Sequence, residues 1–228
     1  MDYVYICRPG ENEELRYSIR SVIANAPEGR VWLIGSKPDW YVGNFIPVKD
    51  KFGKFENIRQ CQIAAAKSDD ISDDFVLMND DFFIVRKLLG VPTLCGSLLK
   101  DRVDEYRLLT GGSSYVTLLH QTMMYLKRQG TKDPIDYDIH VPMVFNKTKL
   151  RSIVDQSLSI RSLYGNTFAI GGEQINDVKS YKDRRFESRS YDYIAGSSPY
   201  LSTEDDSFAL AYEHVLKDMF PDPSPYEA

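Results

Sequence analysis

The first third of the chain alternates short apolar runs with segments whose apolar residues recur at helical spacing. The apolar runs predict buried strands over residues 2–7, 31–34 and 75–78, and a short strand over 45–48. Helices are predicted between them, over residues 11–26 and 55–67. This order of elements is typical of an α/β fold with a mixed, mainly parallel sheet flanked by helices.

The second half of the chain has a less regular pattern. Helices are predicted over residues 98–109, 114–128, 148–159 and 208–219, and a strand over 136–145. Residues 165–204 are rich in Gly, Ser, Tyr and charge, which indicates loops with short strands. Residues 221–228 contain three prolines and are predicted to form a tail. The pattern indicates one domain with an irregular second half.

The composition argues against a membrane-spanning protein and against a non-specific nucleic-acid binder. The 228 residues are 43% hydrophobic and 27% charged, and no apolar run approaches the roughly 20 residues of a membrane span. The net charge of −5 removes the usual argument for non-specific nucleic-acid binding. The first residues lack a basic region before an apolar stretch, and three cysteines without CxxC spacing suit a reducing compartment. We therefore expect a cytoplasmic protein.

Two adjacent carboxylates follow a predicted buried strand. Asp80 and Asp81 come directly after residues 75–78 and before Phe82 and Phe83. Carboxylates in apolar surroundings are costly to desolvate, and a divalent cation offsets that cost. Mg²⁺ and Mn²⁺ use one or two such ligands together with substrate phosphates. The alternative is an ordinary turn with solvated acids.

Ligands of open α/β sheets bind beyond the carboxyl ends of the strands, and one further candidate residue has such a position. Arg8 ends the first strand and suits a phosphate or base edge. Lys54, Asn57 and Arg59 begin the second helix, whose N-terminus attracts anions. His140 suits a metal shell or a phosphate. Each has a plainer alternative. Arg8 could be an ordinary surface arginine, the three residues of the second helix could belong to a solvated face, and His140 could be a hydrogen-bonded structural histidine.

Acidic and basic residues of the second half complete the candidates. Glu204, Asp205 and Asp206 precede the last predicted helix, where an acid either caps the helix or removes a proton from an acceptor hydroxyl. Glu173 is a weaker candidate base. Four arginines suit leaving-group or acceptor contacts, or else a solvated face: Arg161, Arg184, Arg185 and Arg189.

Several blocks resemble a known family. The blocks are ENEELRYSIRSV at 11–22, VWLIG at 31–35, PDW at 38–40 and LMNDDFF at 77–83. In content and order they resemble the Stealth family of sugar-phosphate transferases, with weaker echoes at 138–142, 161–166 and 201–208. That family is related to GT-A nucleotide-sugar glycosyltransferases, in which an acidic motif at a strand end holds a metal on the donor diphosphate. The resemblance implies that Asp80 and Asp81 are this motif and that Asn79 contacts the donor.

The resemblance also implies an organisation and a reaction. One GT-A-like domain is expected, with a nucleotide-sugar-binding half at 1–83, an acceptor-side half at 84–220 and a tail. The leading hypothesis is Mn²⁺- or Mg²⁺-dependent transfer of a sugar from a nucleotide-diphosphate donor, foremost a UDP-sugar, to an acceptor hydroxyl. The acceptor would be a polysaccharide, a protein or a modified nucleic-acid base. The alternatives are sugar-1-phosphate transfer in the same cleft and a non-catalytic carbohydrate- or partner-binding domain.

Overall fold

The computed structural model describes residues 1–10, 12–181, 196 and 198–228. The strands of this part of the chain are β1 (Asp2–Cys7), β2 (Val31–Gly35), β3 (Asn44–Pro47), β4 (Asp74–Met78), β5 (Phe82–Ile84), β6 (Leu94–Cys95), β7 (Met143–Asn146), β8 (Glu173–Gln174), β9 (Lys179–Ser180) and β10 (Tyr200–Thr203). The helices are α1 (Glu13–Asn25), α2 (Lys54–Lys67), α3 (Leu99–Thr110), α4 (Ser114–Arg128), α5 (Lys147–Arg151), α6 (Ile160–Thr167), α7 (Asp205–Ser207) and α8 (Glu213–Met219), with a π-helical turn (Phe208–Tyr212) before α8. None of these described helices has the length and apolar character needed to cross a membrane.

The central sheet has five strands in the order β3-β2-β1-β4-β7. Its first four strands are parallel, and β7 pairs with β4 in the antiparallel direction. Parallel strands are buried on both faces, which explains why they read as nearly continuous apolar runs in the sequence. The predicted mixed, mainly parallel sheet flanked by helices is confirmed.

Alternate residues of β1 belong to the two main hydrophobic clusters of the molecule. Val4 packs in the cluster that contains Cys61 and Ala65 of α2. Tyr3 and Tyr5 belong to the cluster that contains the apolar residues of α1. Because side chains alternate along a strand, the sheet separates the two helices. The carboxyl edge of the sheet lies between them.

A second sheet of three strands, in the order β5-β10-β9, lies beyond the carboxyl end of β4. Strand β10 is antiparallel to β5 and parallel to β9. The chain reaches this sheet directly from Asp80 and Asp81, because β5 begins at Phe82. Residues of the irregular second half are thereby brought beside the adjacent aspartates.

Two predicted elements of the second half were wrong in extent. The observed strand β7 (Met143–Asn146) keeps only the last three residues of the predicted strand 136–145, because polar groups of the preceding stretch bond elsewhere: the Asp136 carboxylate accepts from the backbone N–H of Asp138 at 2.8 Å. The predicted helix 148–159 is reduced to α5. The chain then turns at a polar stretch and starts α6, which the sequence did not predict, at Ile160.

The segment predicted as a tail packs against the first half of the chain. The Tyr226 ring stacks on Tyr41 with centroids 5.9 Å apart, and its hydroxyl accepts from the backbone N–H of Val31 at 3.0 Å. The Glu227 carboxylate accepts from Arg16 at 2.9 Å and from Arg20 at 2.6 Å. Residues 226 and 227 therefore join α1 to β2.

Candidate functional site

A cleft of ≈ 900 Å³ opens at the carboxyl ends of β1, β2 and β4. The structure brings nine of the eleven principal candidates to its walls. They are Arg8, Lys54, Asn57, Arg59, Asn79, Asp80, Asp81, His140 and Asp205. Glu204 and Asp206 lie outside the described lining. This placement follows from the topology, because parallel strands deliver the residues after their carboxyl ends to one edge.

Asp80 is held in the cleft by the first turn of α1. The side-chain amide of Asn12 donates to Asp80 Oδ2 at 2.6 Å, while Asn12 Oδ1 accepts from the backbone N–H of Leu15 at 3.0 Å. Burial, followed by the charge of Asp81, raises the pKa of Asp80 above its ordinary value. A carboxylate whose charged form is disfavoured in this way gains from a cation placed beside it.

Asp81 is buried and has partners from the second sheet. Its Oδ2 accepts from Ser202 Oγ at 2.9 Å and from Lys179 Nζ. The Lys179 ammonium also donates to the backbone carbonyl of Thr203. The side chains of Lys179 and Asp81 are 13% and 12% exposed, so this ion pair is largely shielded from solvent. Adjacent aspartates therefore have different surroundings.

The carboxylate oxygens of Asp80 and Asp81 suit a metal ion that takes its remaining ligands from water and a bound substrate. Among the described residues, no group of three or more His, Cys, Asp or Glu side chains lies close enough to hold a metal by itself. Mg²⁺ commonly takes only one or two carboxylates and completes its shell with water and phosphate oxygens. Asp80 meets that need, and Asp81 keeps one oxygen, Oδ1, outside its bonds with Lys179 and Ser202.

His140 lines the cleft but is engaged by a carboxylate that the sequence did not indicate. Its Nδ1 lies 2.8 Å from Asp177 Oδ2, and its backbone N–H donates to Asp177 Oδ1 at 3.0 Å. Burial opposes ionisation of Asp177, but the bonds with His140 and Arg102 outweigh it and hold its pKa below the usual range. The structure thus shows a hydrogen-bonded histidine whose ring orientation is fixed by Asp177.

Arg161 lies on α6, is 8% exposed and also lines the cleft. Its guanidinium donates to the carbonyl oxygen of Val141 at 2.7 Å and lies 5.2 Å from the centre of the Phe82 ring. Burial lowers its pKa from the ordinary value. No carboxylate of the described residues comes within 4.0 Å of it. A buried cation with neutral partners favours an anionic ligand.

Glu14 is a cleft residue that sequence reasoning missed. Its Oε1 accepts from Thr203 Oγ1 at 2.7 Å, and the residue is 7% exposed. Burial, helped by the charges of Asp81 and Asp80, raises its pKa to about 7. In the sequence Glu14 reads as one of several acids suited to the helix dipole, so no local signal separates it from its neighbours.

The acids near the last helical stretch have different roles. Asp205 faces Arg8 across the cleft rim with 3.4 Å between Arg8 Nη2 and Asp205 Oδ1, and their side chains are 79% and 67% exposed. Glu204 forms a capping box with Ser207 at the start of α7. Asp206 is exposed. Of the three candidates, Asp205 is the one in reach of a ligand in the cleft.

Residues at the start of α2 also line the cleft. The Asn57 side chain accepts from the backbone N–H of Phe52 at 3.0 Å, and Arg59 pairs with Glu56 at 2.6 Å. Lys54 begins the helix, which has no side-chain cap at Gly53. The Phe52 side chain is 57% exposed at the same rim. This rim combines cationic groups with an apolar ring.

The remaining candidates lie elsewhere. Glu173 is exposed on β8, where it pairs with Leu94 of β6, outside the described cleft lining. Arg184, Arg185 and Arg189 lie outside the residues that the structure describes.

Comparison with solved structures identifies the fold. A crystal structure of the galactosyltransferase LgtC in complex with donor and acceptor sugar analogs aligns with a TM-score of 0.52 at 12% identity, over 98% of this chain and 96% of that chain. An apo-form glycosyltransferase, GlyE of Streptococcus pneumoniae TIGR4, aligns with a TM-score of 0.43 at 10% identity, over 98% and 64%. No protein-family model and no curated protein sequence matches the chain. The likeness to LgtC shows that the chain has the GT-A fold.

Proposed function

We propose that the protein is a glycosyltransferase that binds a nucleotide-diphosphate sugar in the cleft together with Mn²⁺ or Mg²⁺. The observation that carries the proposal is the position of Asp80. It is a half-buried carboxylate at the carboxyl end of β4, held by Asn12 and opening on the cleft of a GT-A fold. Its raised pKa means that a bound cation stabilises the site.

The walls of the cleft suit the parts of such a donor. Ile6, Val48 and Phe52 provide apolar surface for a nucleobase or a sugar. Arg161 and Lys54 provide positive charge for the diphosphate, and the buried guanidinium is the stronger of the two because little water screens it. The protein thus holds anion-binding groups inside the cleft despite its net charge of −5.

In the proposed reaction the bond from the anomeric carbon to the diphosphate oxygen breaks, and its electron pair leaves with the nucleoside diphosphate. The bound metal would neutralise part of the negative charge on that leaving group. Asn12 fixes the carboxylate of Asp80, and Arg161 offers a cation with no carboxylate partner among the described residues. The acceptor hydroxyl oxygen forms the new bond to the anomeric carbon.

Asp205 is the proposed acceptor-side acid. It lies on the cleft rim, and its exposed pair with Arg8 is weak enough to exchange for a ligand. If the reaction inverts the anomeric carbon, Asp205 takes the hydroxyl proton; if it retains configuration, Asp205 orients the acceptor and the proton passes to the departing diphosphate oxygen. Glu204 instead stabilises the start of α7, since it forms the capping box.

Calorimetry of nucleotide binding tests the donor cleft. We expect UDP, or another nucleoside diphosphate from a panel of bases, to bind at least tenfold more tightly with Mn²⁺ than without it. Asp80→Asn should abolish the gain from Mn²⁺. Asp104→Asn is the matched control, because Asp104 is an exposed acid of α3 paired with Lys100. Equal gains in Asp80→Asn and the control would overturn the metal assignment.

Product analysis tests the reaction. The protein is incubated with nucleotide sugars and Mn²⁺, and the released nucleotide is identified. Release of a nucleoside diphosphate supports glycosyl transfer. Release of a nucleoside monophosphate replaces it with sugar-1-phosphate transfer, the reaction implied by the resemblance of residues 11–83 to Stealth proteins. Binding without any release over the whole panel would favour a carbohydrate- or partner-binding domain.

A further inference from the structure

The Lys179 ammonium occupies an unusual place for a lysine, beside the acidic pair of the cleft. It bridges the carboxylate of Asp81 and the backbone carbonyl of Thr203, and its side chain is only 13% exposed. Most lysines keep their ammonium in water, so burial here has to be compensated by close partners. Asp81 supplies the charge that compensates it.

The ammonium has bonding capacity beyond these partners. A lysine ammonium carries three N–H donors and no acceptor. The described residues supply two acceptors, Asp81 Oδ2 and the carbonyl oxygen of Thr203. Lys179 also belongs to the lining of the cleft, where it contacts Asp81. One donor is therefore left for an acceptor that enters the cleft.

Ser202 strengthens this arrangement. Its hydroxyl donates to the same oxygen of Asp81 at 2.9 Å and is fully buried on β10. Asp81 is thus held by two side chains from the second sheet, and Lys179 is held by Asp81. The ammonium is fixed before any ligand arrives, so little side-chain entropy remains to be lost on binding.

We infer that Lys179 is a resident cation for the diphosphate of the donor, acting beside the divalent metal at Asp80. The inference rests on the proposed function and assigns the two aspartates different tasks. Asp80 serves the metal, whereas Asp81 chiefly anchors the lysine. As the bond to the anomeric carbon breaks, the diphosphate gains negative charge, and a preorganised ammonium stabilises that charge.

The inference predicts binding of a diphosphate without any metal. Inorganic pyrophosphate is the probe, because it contains the recognised group and no nucleobase. We expect the wild-type protein to bind it in calorimetry with a chelator present. Asp81→Asn loses both a repelling charge and the anchor of Lys179, so it serves as the reference in which the lysine itself is then removed.

The decisive comparison is between Asp81→Asn alone and Asp81→Asn combined with Lys179→Met. The double variant leaves no uncompensated buried charge, so it should fold, and its urea unfolding transition checks this. We expect it to bind pyrophosphate about 10- to 100-fold more weakly than Asp81→Asn, as for loss of one hydrogen bond to a charged group. Lys149→Met, which removes an exposed lysine outside the cleft lining, should have no effect.

Two results would overturn the inference: equal pyrophosphate affinity of the double variant and Asp81→Asn, or no metal-free binding by the wild type. Neither result touches the proposed function, which depends on the Mn²⁺-dependent gain and its loss in Asp80→Asn. Conversely, Mn²⁺ could leave nucleotide affinity unchanged while Lys179→Met, in the Asp81→Asn background, strongly weakens pyrophosphate binding. That result would overturn the metal assignment and support the role of Lys179.

Discussion

The side-chain amide of Asn12 joins the start of helix α1 to Asp80, because its nitrogen donates to the carboxylate while its oxygen caps the helix. One residue therefore serves both stability and the position of the candidate metal ligand. The two tasks use different atoms, so substitutions separate them.

Asn12→Ala should lower the free energy of unfolding by about 1 kcal/mol, because an N-cap bond is lost. It should also weaken Mn²⁺-dependent binding of a nucleoside diphosphate, since Asp80 loses its partner. Asn12→Ser is the matched variant, because serine caps a helix well but is too short to reach Asp80. We expect it to restore stability and not binding. Full recovery of both in urea unfolding and calorimetry would refute the link to Asp80.

The carboxyl of Glu14 should make stability depend on pH. Its pKa of about 7 in the folded protein exceeds the ordinary 4.5, so the folded state binds this proton more tightly than the unfolded state. That contribution is complete below pH 4.5 and is lost as pH rises through 7. Glu14→Gln should therefore match the wild type near pH 4.5 and exceed it by on the order of 3 kcal/mol at pH 8.

Urea unfolding of both proteins between pH 4.5 and 8, with a chelator to remove bound cations, measures this difference. Glu28→Gln, at an exposed position, is the control and should show no trend. A constant difference between wild type and Glu14→Gln across the range would show that Glu14 titrates normally.

Gly35 should resist substitution by alanine. It ends β2 with φ +113°, and a Cβ there would run into the carbonyl oxygen of Cys7 and lie 3.3 Å from Cys61 Sγ. Strain and overpacking predict a loss of about 2–4 kcal/mol for Gly35→Ala. Gly90→Ala meets no atom within 4 Å and should change stability by less than about 0.5 kcal/mol. Equal losses of stability in Gly35→Ala and Gly90→Ala, measured by thermal or urea unfolding, would contradict the strain expected at Gly35.

The charged carboxylate of Glu227 should stabilise the folded protein at pH values above 4.5, the ordinary pKa of a glutamate. Burial raises its pKa, but bonds with Arg20, Ser224 and Arg16 outweigh this and lower it to about 2. The stabilisation is present above pH 4.5 and is lost as pH falls through 2. Glu227→Gln should thus cost on the order of 2–3 kcal/mol at pH 7, and the deficit should shrink below pH 4.5. A deficit that stays constant in acid would mean that packing, and not charge, is responsible.

The first half of the fold could be predicted because its signals are local. Buried parallel strands give short apolar runs, and α1 and α2 show helical spacing bounded by turn residues. The two sequence blocks ELRYSIRS and NDDFF also lie close together in the fold. Ser18 donates to the carbonyl oxygen of Phe82, and Ser21 accepts from the backbone N–H of Ile84.

The partners of the acidic pair could not be predicted, since they come from distant and irregular segments. Lys179 lies 98 residues from Asp81, and Asp177 lies 37 residues from His140. Short strands such as β9 carry no periodic pattern that would place them beside β4. The sequence indicated candidate metal ligands, whereas the charge balance around them depends on tertiary contacts.

The packing of residues 226 and 227 against Val31, Arg16 and Arg20 has a consequence for biosynthesis. These contacts join positions about 200 residues apart, so they form only after almost all of the 228 residues have left the ribosome. Until then α1 and β2 lack the aromatic and ionic cover they have in the finished protein. A nascent chain therefore exposes this face until residues 226 and 227 have been synthesised.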